Sequence, residues 1–429
     1  MKIPPVKGTR DFYPPDMAIR NWLIDGWKKV SLRNGFEEYD GPIFEYLKMF
    51  QIKSGDEIVE QLFSLKDRGG RELALRPEIT PTLARMVNQR INSLPRPIKW
   101  FSVPRLFRAE RPQKGRLREF FQWNIDIIGI DDVLADAEVI FTTVDYLREV
   151  KLTHRDVRVK ISSRKLLASA LANIGVPENQ LDSLYPLLDK YRKIPSGTFE
   201  KMLAEHVPDA GAAGRIMDFM AAQTLSDVAQ IVGANAEVDG ALQELALLKD
   251  VLEQMGVWQY CDFYPSIVRG LAYYTGIVFE VHEFAQELRA VGGGGRFDNL
   301  LRDFGGPQIS ATGMGMGDCV LGILLEKKGL LKPKTKELDY FVAYVNENYK
   351  DKAIEIALRL RSKDRSADFS YKAGNLSKQL KQASECNAKT CIIIGEEFKN
   401  KQLVIKDMAT GSQETIEVDK FFARLTDSK

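Results

Sequence analysis

The spacing of apolar and polar residues divides the chain into segments of different texture. Apolar residues recur with helical spacing from Met17 to Asn34, and Gly35 is a plausible helix stop. Apolar and polar residues alternate from Ile98 to Arg108 and from Glu119 to Ile130, as in the two strands of a hairpin. The Ala-, Val- and Ile-rich segment from Asp132 to Lys151 predicts a second helix.

Further along the chain the texture changes twice. From about Ile174 to Leu248, strand alternation disappears and Leu/Ala-rich periodic segments predict a helical insertion. Strand patterns return from Ile277 to His282 and from Ala290 to Gly293, before a glycine-rich entry into a helix from Asp318 to Lys328. Beyond the polar linker Lys332-Pro333-Lys334, strands and helices alternate regularly, which favours a small α/β domain of about a hundred residues.

These changes predict the domain organisation. Residues 1–173 and 249–331 form one domain, residues 174–248 are inserted into it, and residues 332–429 form the second domain.

Composition narrows the class of protein. The 429 residues are 44% hydrophobic and 28% charged, which is an ordinary balance for a globular chain. No apolar run approaches the roughly 18 residues that span a membrane, and the segment from Met1 to Pro15 has no apolar core of a signal peptide. We therefore expect a cytoplasmic protein that does not contact membranes.

Cysteine and histidine are scarce. The four cysteines and three histidines are far apart and lack metal-ligand spacing, so we expect reduced thiols and no bound metal. The net charge of +2 neither requires nor excludes a nucleic-acid partner.

Local charge is more informative than net charge. Between Arg96 and Phe120 there are eight basic residues and two acidic ones, on a predicted hairpin whose turn contains Pro112 and Gly115. A charged, solvated hairpin explains this composition, and so does a hairpin that presents cations to a polyanion. Arginine suits the second role because its planar guanidinium binds two phosphate oxygens and keeps its charge.

A run of four glycines, Gly292 to Gly295, stands near the end of the first domain. No Lys-Ser or Lys-Thr follows it, so it is not a Walker phosphate loop. Between Ala290-Val291 and Arg296-Phe297 it is better interpreted as a strand without side chains, on which a substrate can lie.

Several segments carry a family resemblance. The hairpin pattern Phe-Arg-x-Glu, a loop, then Arg-x-x-x-Phe resembles motif 2 of the class II aminoacyl-tRNA synthetases. The resemblance implies that Arg108 holds the α-phosphate of ATP and the amino-acid carboxylate. It implies that Glu110 and Phe120 hold adenine and that Arg116 reaches the γ-phosphate. The segment Gly41-Pro42-Ile43-Phe44 looks like motif 1, which builds the dimer interface in that family, and so implies a homodimer.

Within that class, further segments are similar to the histidyl-tRNA synthetase family. They are Leu75-Arg76-Pro77-Glu78-Ile79-Thr80, Arg269-Gly270-Leu271-Ala272-Tyr273-Tyr274, the glycine run with its flanks, and the carboxy-terminal segments from Lys378 to Lys381 and from Val404 to Gly411. The resemblance covers nearly the whole chain. It implies an α+β fold, in which a catalytic domain with an antiparallel sheet flanked by helices carries a helical insertion and precedes a small α/β anticodon-binding domain. It implies L-histidine and tRNA(His) as substrates, with ATP accompanied by Mg²⁺.

The resemblance also implies a histidine pocket. Its residues are Glu78, Thr80, Arg108, Gln122, Asp126, Arg269, Tyr273 and Tyr274. The two nitrogens of imidazole can pair with a carboxylate and a tyrosine hydroxyl. An apolar amino acid would leave these buried polar groups without a hydrogen-bond partner, so the pocket would reject it. Arg269 and Arg108 are the expected catalytic residues, because cations at the α-phosphate and pyrophosphate stabilise the charge that develops during adenylation.

Two positions depart from the family pattern. The aspartate before the paired tyrosines is Ala272, and the arginine of motif 3, which packs on adenine in the family, is Val320. One alternative function is therefore the non-catalytic, synthetase-like regulatory subunit of ATP phosphoribosyltransferase. Another is a class II synthetase for proline or threonine, although the Arg-Gly-Leu-x-Tyr-Tyr segment argues against it.

Overall fold

The computed structural model describes residues 3–52, 60–233, 235–268, 273–333, 337–372 and 374–426. The chain divides into two compact units, Met1–Pro333 and Lys334–Lys429, and each is described by itself. No helix in these described ranges combines the length and the apolar character that crossing a membrane requires.

The first unit is built on a large sheet to which the described residues contribute nine strands. The strands of this sheet are β1 (Glu37–Glu38), β5 (Ile98–Ser102), β6 (Arg105–Phe107), β7 (Glu119–Ile128), β8 (Val157–Ser163), β9 (Cys261–Phe263), β10 (Ile277–Glu283), β11 (Gly292–Arg296) and β12 (Ala311–Gly317). Their order is β1-β5-β7-β12-β11-β10-β8-β9, and β6 pairs with β7. Neighbours are antiparallel except at the two edges, where β1 pairs with β5 and β8 pairs with β9 in parallel. An antiparallel sheet of this kind was expected from the family resemblance, and the α+β fold is confirmed.

Helices cover one face of the large sheet. Those nearest to it are α1 (Pro14–Arg33), α4 (Val133–Glu149), α5 (Arg164–Ile174) and α12 (Asp318–Lys327). Trp27 of α1, Trp123 of β7 and Tyr146 of α4 are fully buried together, and the two tryptophan rings stack with their centroids 6.4 Å apart. Aromatic rings of this size bury a large apolar area and fix α1 and α4 against the sheet.

A smaller sheet lies in the amino-terminal part of the unit. Its strands are β2 (Phe44–Tyr46), β3 (Ser64–Lys66) and β4 (Glu72–Leu75), in the order β2-β4-β3. The helices α2 (Leu47–Gln51), α3 (Thr80–Arg90) and α11 (Leu300–Asp303) complete this part. The segment that joins β4 to α3 holds Glu78 and so brings it to the large sheet.

The described residues of the segment predicted to be a helical insertion form helices joined by short turns and contain no strand. Its helices are α6 (Leu181–Leu188), α7 (Ser196–His206), α8 (Ala210–Ala221), α9 (Leu225–Val232) and α10 (Ala236–Gln254). Buried apolar residues at helical spacing, such as Ile216, Phe219 and Met220 of α8, join the same hydrophobic core as the large sheet.

The second unit is a sheet with helices. Its strands are β13 (Leu338–Tyr344), β14 (Ala367–Phe369), β15 (Ala388–Ile394), β16 (Gln402–Asp407) and β17 (Gln413–Glu417), and its helices are α13 (Lys350–Arg361), α14 (Leu376–Glu385) and α15 (Val418–Thr426). The strand order is β14-β13-β15-β16-β17, parallel over the first three strands and antiparallel over the last two. This is the regular strand and helix alternation that the sequence predicted.

Some elements differ from the sequence-based expectation. The predicted strand from Ile98 to Arg108 is two strands, because the chain breaks at Val103-Pro104 before β6. The strand predicted from Ala290 to Gly293 is shifted to Gly292–Arg296, and the glycine-rich approach to α12 is itself the central strand β12. Glycine disfavours strands on its own, so these two strands depend on pairing with their neighbours.

Candidate active site

A cavity of about 810 Å³ opens above the middle strands of the large sheet. The structure brings into its lining the predicted residues Glu78, Thr80, Arg108, Glu110, Arg116, Phe120, Gln122, Asp126, Tyr273 and Tyr274. These ten residues come from β7, the hairpin before it, the β4–α3 connection with the first residue of α3, and the segment before β10. Arg269 lies outside the described residues.

Glycines of β11 and β12 form a flat floor beneath this cavity. A Cβ at Gly313 would lie 2.1 Å from the carboxylate of Asp126, and a Cβ at Gly315 would lie 2.9 Å from the side chain of Gln122. A Cβ at Gly294 would lie 2.1 Å from the backbone oxygen of Gly313. The absent side chains therefore leave room for the two polar residues of β7 and for a ligand laid across the sheet.

Asp126 is the most unusual ionisable group in the cavity. Its side chain is almost completely buried, and its Oδ2 atom has no hydrogen-bond partner among the described residues. Burial raises the pKa of Asp126 to about 8, because the charged form loses its hydration. The nearby Tyr39 hydroxyl is also buried without a partner in the described part of the chain. Burial raises the pKa of Tyr39 above its ordinary value, and the charge of Asp126 adds to the effect. Asp126 lines the cavity, so its unpaired oxygen is available to a ligand there.

Glu78 is held on the opposite wall. The Tyr273 hydroxyl donates a hydrogen bond of 3.1 Å to Glu78 Oε2. The ring of Tyr273 lies 5.0 Å from that of Tyr274 and 5.8 Å from that of Phe297, centroid to centroid. These contacts fix the orientation of Tyr273 and hence of the carboxylate that it binds.

The backbone that carries Glu78 is tied down by a buried arginine. Arg76 Nη1 donates to Asp40 Oδ1 at 2.7 Å and to the Gly41 carbonyl at 2.8 Å, and its Nε donates to the Arg105 carbonyl at 3.1 Å. Arg108 Nε donates to the Pro77 carbonyl at 3.2 Å. The Arg-Pro-Glu segment therefore joins the motif 1 strand region to the motif 2 hairpin.

The hairpin between β6 and β7 supplies the positive wall of the cavity. Arg116 Nε and Glu110 Oε2 form an ion pair of 2.5 Å across the hairpin, and the guanidinium carbon of Arg108 lies 5.3 Å from the centre of the Phe120 ring. Gly115 has a φ of +76°, a left-handed conformation that lets the hairpin turn tightly. An arginine from each arm and one aromatic ring thus face a common space, which suits a nucleoside phosphate.

Several lining residues were not predicted. On β10, His282 Nε2 lies 2.9 Å from Glu280 Oε2, and both side chains face the cavity together with Asn124 and Arg289. The period-two alternation of strands puts Glu280 and His282 on one face, so this pair was readable from the sequence once β10 was assigned. Arg289 follows β10 in an irregular segment, and nothing in the local sequence marks it.

The start of α12, where Val320 replaces the motif 3 arginine, is held in place by contacts of other residues. Arg10 and Asp318 form an ion pair of 2.6 Å, and Asp318 Oδ1 accepts a hydrogen bond of 3.0 Å from the Phe121 amide. These contacts fix the start of α12 against β7. Val320 is nearly buried, and its Cγ2 would lie 3.1 Å from a Cβ at Gly115, so the hairpin turn closes on this side chain.

No group of three or more His, Cys, Asp or Glu side chains in the described ranges is arranged to hold a metal ion. Four free cysteines are present, two buried and two partly exposed. The polar side chains that line the described cavity include arginines, carboxylates and tyrosines.

Sequence profiles match both units. A profile of the Histidyl-tRNA synthetase family matches residues 8–317, and a profile of the Anticodon binding domain matches residues 339–428. The first match covers most of the chain and all of the described cavity residues except Cys319 and Val320.

Relatives and solved structures agree with the profiles. The chain is 39% identical to the chloroplastic/mitochondrial histidine–tRNA ligase of Arabidopsis thaliana, over 95% of this chain and 84% of that one. It is 35% identical to the histidine–tRNA ligase of Opitutus terrae, over 98% and 97% of the two chains. A crystal structure of histidyl-tRNA synthetase from Nostoc sp. PCC 7120 superposes with a TM-score of 0.81 at 22% identity, over 100% of both chains. At that identity the superposition supports the fold, whereas the relatives and the profile support the family.

Proposed function

The chain belongs to the histidyl-tRNA synthetase family and is an aminoacyl-tRNA ligase, and we propose that the cavity above the glycine floor is where it activates histidine. The observation that carries the proposal is that ten residues predicted for histidine and ATP line this one cavity. The regulatory-subunit alternative is not favoured, because relatives matched over nearly the whole chain are histidine–tRNA ligases.

The histidine half of the site lies between β7 and the β4–α3 connection. Asp126 has an oxygen without a partner, and Glu78 is oriented by Tyr273. We propose that Asp126 accepts a hydrogen bond from an imidazole N–H, and that Glu78 and Thr80 bind the amino group. Gln122 and Tyr274 then border the ring, and an apolar side chain of similar size would leave Asp126 unsatisfied.

The ATP half of the site lies along the hairpin. Arg108 faces the α-phosphate and the histidine carboxylate, Arg116 faces the γ-phosphate, and Glu110 with Phe120 contacts adenine. Mg²⁺ enters with ATP as part of the substrate. The ion pair of Arg116 with Glu110 is released when the phosphates arrive, since a guanidinium binds phosphate oxygens in the same geometry as a carboxylate.

The chemistry needs no protein nucleophile. The histidine carboxylate attacks the α-phosphorus, pyrophosphate leaves, and histidyl-adenylate forms. Arg108, together with Arg269 by family resemblance, stabilises the negative charge that develops on the phosphate oxygens. The 3′-terminal hydroxyl of tRNA(His) then attacks the acyl carbon, and AMP leaves.

One experiment tests this function directly. The purified chain is assayed for ATP–pyrophosphate exchange with each of the twenty amino acids in turn. We expect exchange with histidine alone. Exchange with proline or threonine would contradict the histidine assignment, and no exchange with any amino acid would support the regulatory-subunit alternative.

We predict that Asp126→Ala and Glu78→Ala each raise the KM for histidine by about ten- to hundredfold, because leaving a buried polar partner unpaired costs roughly 1–3 kcal/mol. The KM for ATP should change little, since both carboxylates are assigned to histidine. Tyr273→Phe is a milder control, which removes the 3.1 Å hydrogen bond to Glu78 and keeps the ring. Unchanged histidine kinetics in both carboxylate variants would show that the pocket lies elsewhere.

The raised pKa of Asp126 gives this prediction a second readout. With a pKa of about 8, Asp126 is protonated in most molecules at pH 7. Accepting a hydrogen bond from imidazole favours the carboxylate, so binding lowers the pKa and releases a proton. Titration calorimetry of histidine binding at pH 7, in two buffers of different ionisation enthalpy, should show a proton release that Asp126→Asn removes. Equal proton release in both proteins would contradict the assigned contact.

We propose a homodimer that forms through the motif 1 region. Around β2, the described side chains of Ile43, Phe44, Tyr46, Ile52 and Leu65 are exposed although apolar, which is typical of an interface. Light scattering at micromolar concentration should give the mass of a dimer. Phe44→Asp should weaken the dimer, whereas Leu134→Asp on α4 should not, although the two side chains are 54% and 52% exposed. A monomeric mass for the unmodified chain would exclude the proposal.

The second unit is proposed to read the tRNA(His) anticodon. Its match to the anticodon-binding profile supports this, and so does its separate hydrophobic core. We propose that the protein works in the cytoplasm, where its four free thiols stay reduced.

A further inference from the structure

The substitution of the motif 3 arginine by Val320 leaves one face of the adenine subsite without the cation that the family places there. Val320 is nearly buried and closes on the hairpin turn at Gly115. A cation on that face can come only from another element of the cavity wall.

We propose that Arg289 is an ATP-binding residue whose guanidinium stacks on adenine, on the face opposite Phe120. The inference rests on the proposed function. Arg289 lines the same cavity as Phe120, Cys319 and Val320. It is exposed, and it makes no hydrogen bond or ion pair with other described residues, so its guanidinium is available to a ligand.

Strand pairing puts Phe120 and Arg289 on either side of the same point. At the end of β12, Gly317 is the pairing partner of Gln122 on β7. On its other side the Gly317 amide donates a hydrogen bond of 3.3 Å to the Val291 carbonyl. Phe120 and Arg289 each lie two residues beyond these contacts, and both line the cavity.

The spacing fits a base between them. Two strand spacings separate β7 from β11, about 10 Å in total. A flat ring with a partner on each face needs about 7 Å, twice the van der Waals separation of about 3.5 Å. The remaining distance is within the reach of the phenylalanine and arginine side chains.

The segment that carries Arg289 is held in place by its neighbours. Lys327 of α12 forms ion pairs with Glu283 at 2.6 Å and with Glu287 at 2.7 Å. The Phe284 amide donates to the Asp156 carbonyl at 2.8 Å. The hydrogen bond from Lys327 lowers the pKa of Glu287, and the nearby charge of Lys114 on the hairpin turn adds to the effect. Glu287 is therefore held by Lys327, and the hairpin turn that carries Lys114 lies near this segment.

A guanidinium differs from an ammonium in a way that makes the proposal testable. Both carry a charge, but the planar guanidinium stacks on a ring, and a lysine ammonium attracts a ring without covering it. Stacking therefore predicts that Arg289→Lys fails to restore ATP binding, whereas a contact to phosphate predicts that it succeeds.

The experiment compares Arg289→Ala, Arg289→Lys and wild type in histidine-dependent ATP–pyrophosphate exchange. We expect Arg289→Ala to raise the KM for ATP by about tenfold, on the scale of a desolvated cation–π contact, with the KM for histidine within about twofold of wild type. Arg289→Lys should recover less than half of the loss on a logarithmic scale. Titration calorimetry with a non-hydrolysable ATP analogue should show the same order of affinities without turnover.

Arg155→Ala is the matched control, because Arg155 is also exposed, lies beside the Asp156 carbonyl that anchors this segment, and is not part of the cavity lining. It should behave as wild type. An unchanged KM for ATP in Arg289→Ala, or full recovery in Arg289→Lys, would overturn the stacking role while wild-type exchange with histidine kept the proposed function. Absence of exchange in the wild type would overturn both.

Discussion

Arg108→Ala is expected to lower the single-turnover rate of histidyl-adenylate formation by about 10²–10³-fold, the scale for removing one preorganised donor from a developing anion. Arg108 is fixed in the ground state by a 3.2 Å hydrogen bond to the Pro77 carbonyl and by its position 5.3 Å from the Phe120 ring. A cation held in place before the reaction does not need to reorganise when charge develops on the α-phosphate. The effect should therefore fall on the rate more than on the affinity for histidine.

The measurement is rapid-quench detection of histidyl-adenylate at saturating histidine and ATP. Arg111→Ala is the matched control, because Arg111 is an exposed arginine of the same hairpin that does not line the cavity. It should form the adenylate at the wild-type rate. A loss in Arg108→Ala that higher ATP concentrations fully reverse would mean that Arg108 acts in binding and not in the transition state.

Arg269 should behave in the same way as Arg108, on the family resemblance of its segment. Combining Arg269→Ala with Arg108→Ala should cost less than the product of the two single effects, if both cations stabilise the same phosphate oxygens.

The strands and helices that the sequence predicted best are those with strong apolar periodicity. The predicted helix from Met17 to Asn34 corresponds to α1, because Leu23, Trp27 and Val30 recur on one buried face. The regular alternation predicted for the carboxy-terminal region is the alternation of strands and helices in the second unit. Here the local pattern and the tertiary structure impose the same periodicity.

The strand β12 could not be predicted in this way. Its sequence, Ala-Thr-Gly-Met-Gly-Met-Gly, has little preference for a strand, and its glycines are explained by what stands next to them. Gly313 makes room for Asp126, and Gly315 makes room for Gln122, across the β7–β12 pairing. A pattern read along one strand cannot show a space that is created by its neighbour.

The candidate site, too, could be predicted from the sequence only in part. Motif resemblance named the residues of the cavity, because residue type and order suffice for that. It could not give the pairing of Glu78 with Tyr273, which are separated by 195 positions, or that of Arg10 with Asp318, separated by 308. Nor could it show that Asp126 has a buried oxygen without a partner, since this depends on packing from several elements.

One residue of a carboxy-terminal motif has a structural role in the second unit. In the Lys378-Gln379-Leu380-Lys381 segment, Gln379 is buried and pairs with the backbone of Tyr344: it accepts from the amide at 3.0 Å and donates to the carbonyl at 2.7 Å. It therefore holds α14 against β13. Lys378 and Lys381 of the same segment are exposed, and Lys381 forms an ion pair of 3.8 Å with Glu385.

Removing the second unit should leave histidine activation nearly unchanged and reduce the charging of tRNA(His) by at least about a hundredfold. Each unit has its own buried core, so the first unit keeps the cavity and its supporting strands. The cut belongs after Pro333, because Leu330 and Leu331 still pack on the core of the first unit. Linking two binding modules raises affinity by about 10²–10⁴-fold without new contacts at either site, and this gain is lost when one module is removed.

Two substrates separate a lost anticodon contact from a damaged catalytic unit. Full-length tRNA(His) presents both the acceptor end and the anticodon, whereas a short acceptor-stem helix presents only the acceptor end. The truncated and complete proteins should give equal ATP–pyrophosphate exchange and should charge the acceptor-stem helix at similar rates, because neither reaction uses the second unit. They should differ on full-length tRNA(His), where the complete protein gains from binding at two places. If the truncated protein charged full-length tRNA(His) as well as the complete chain, the second unit would not read the anticodon, and if it also lost exchange, the two units would not be independent.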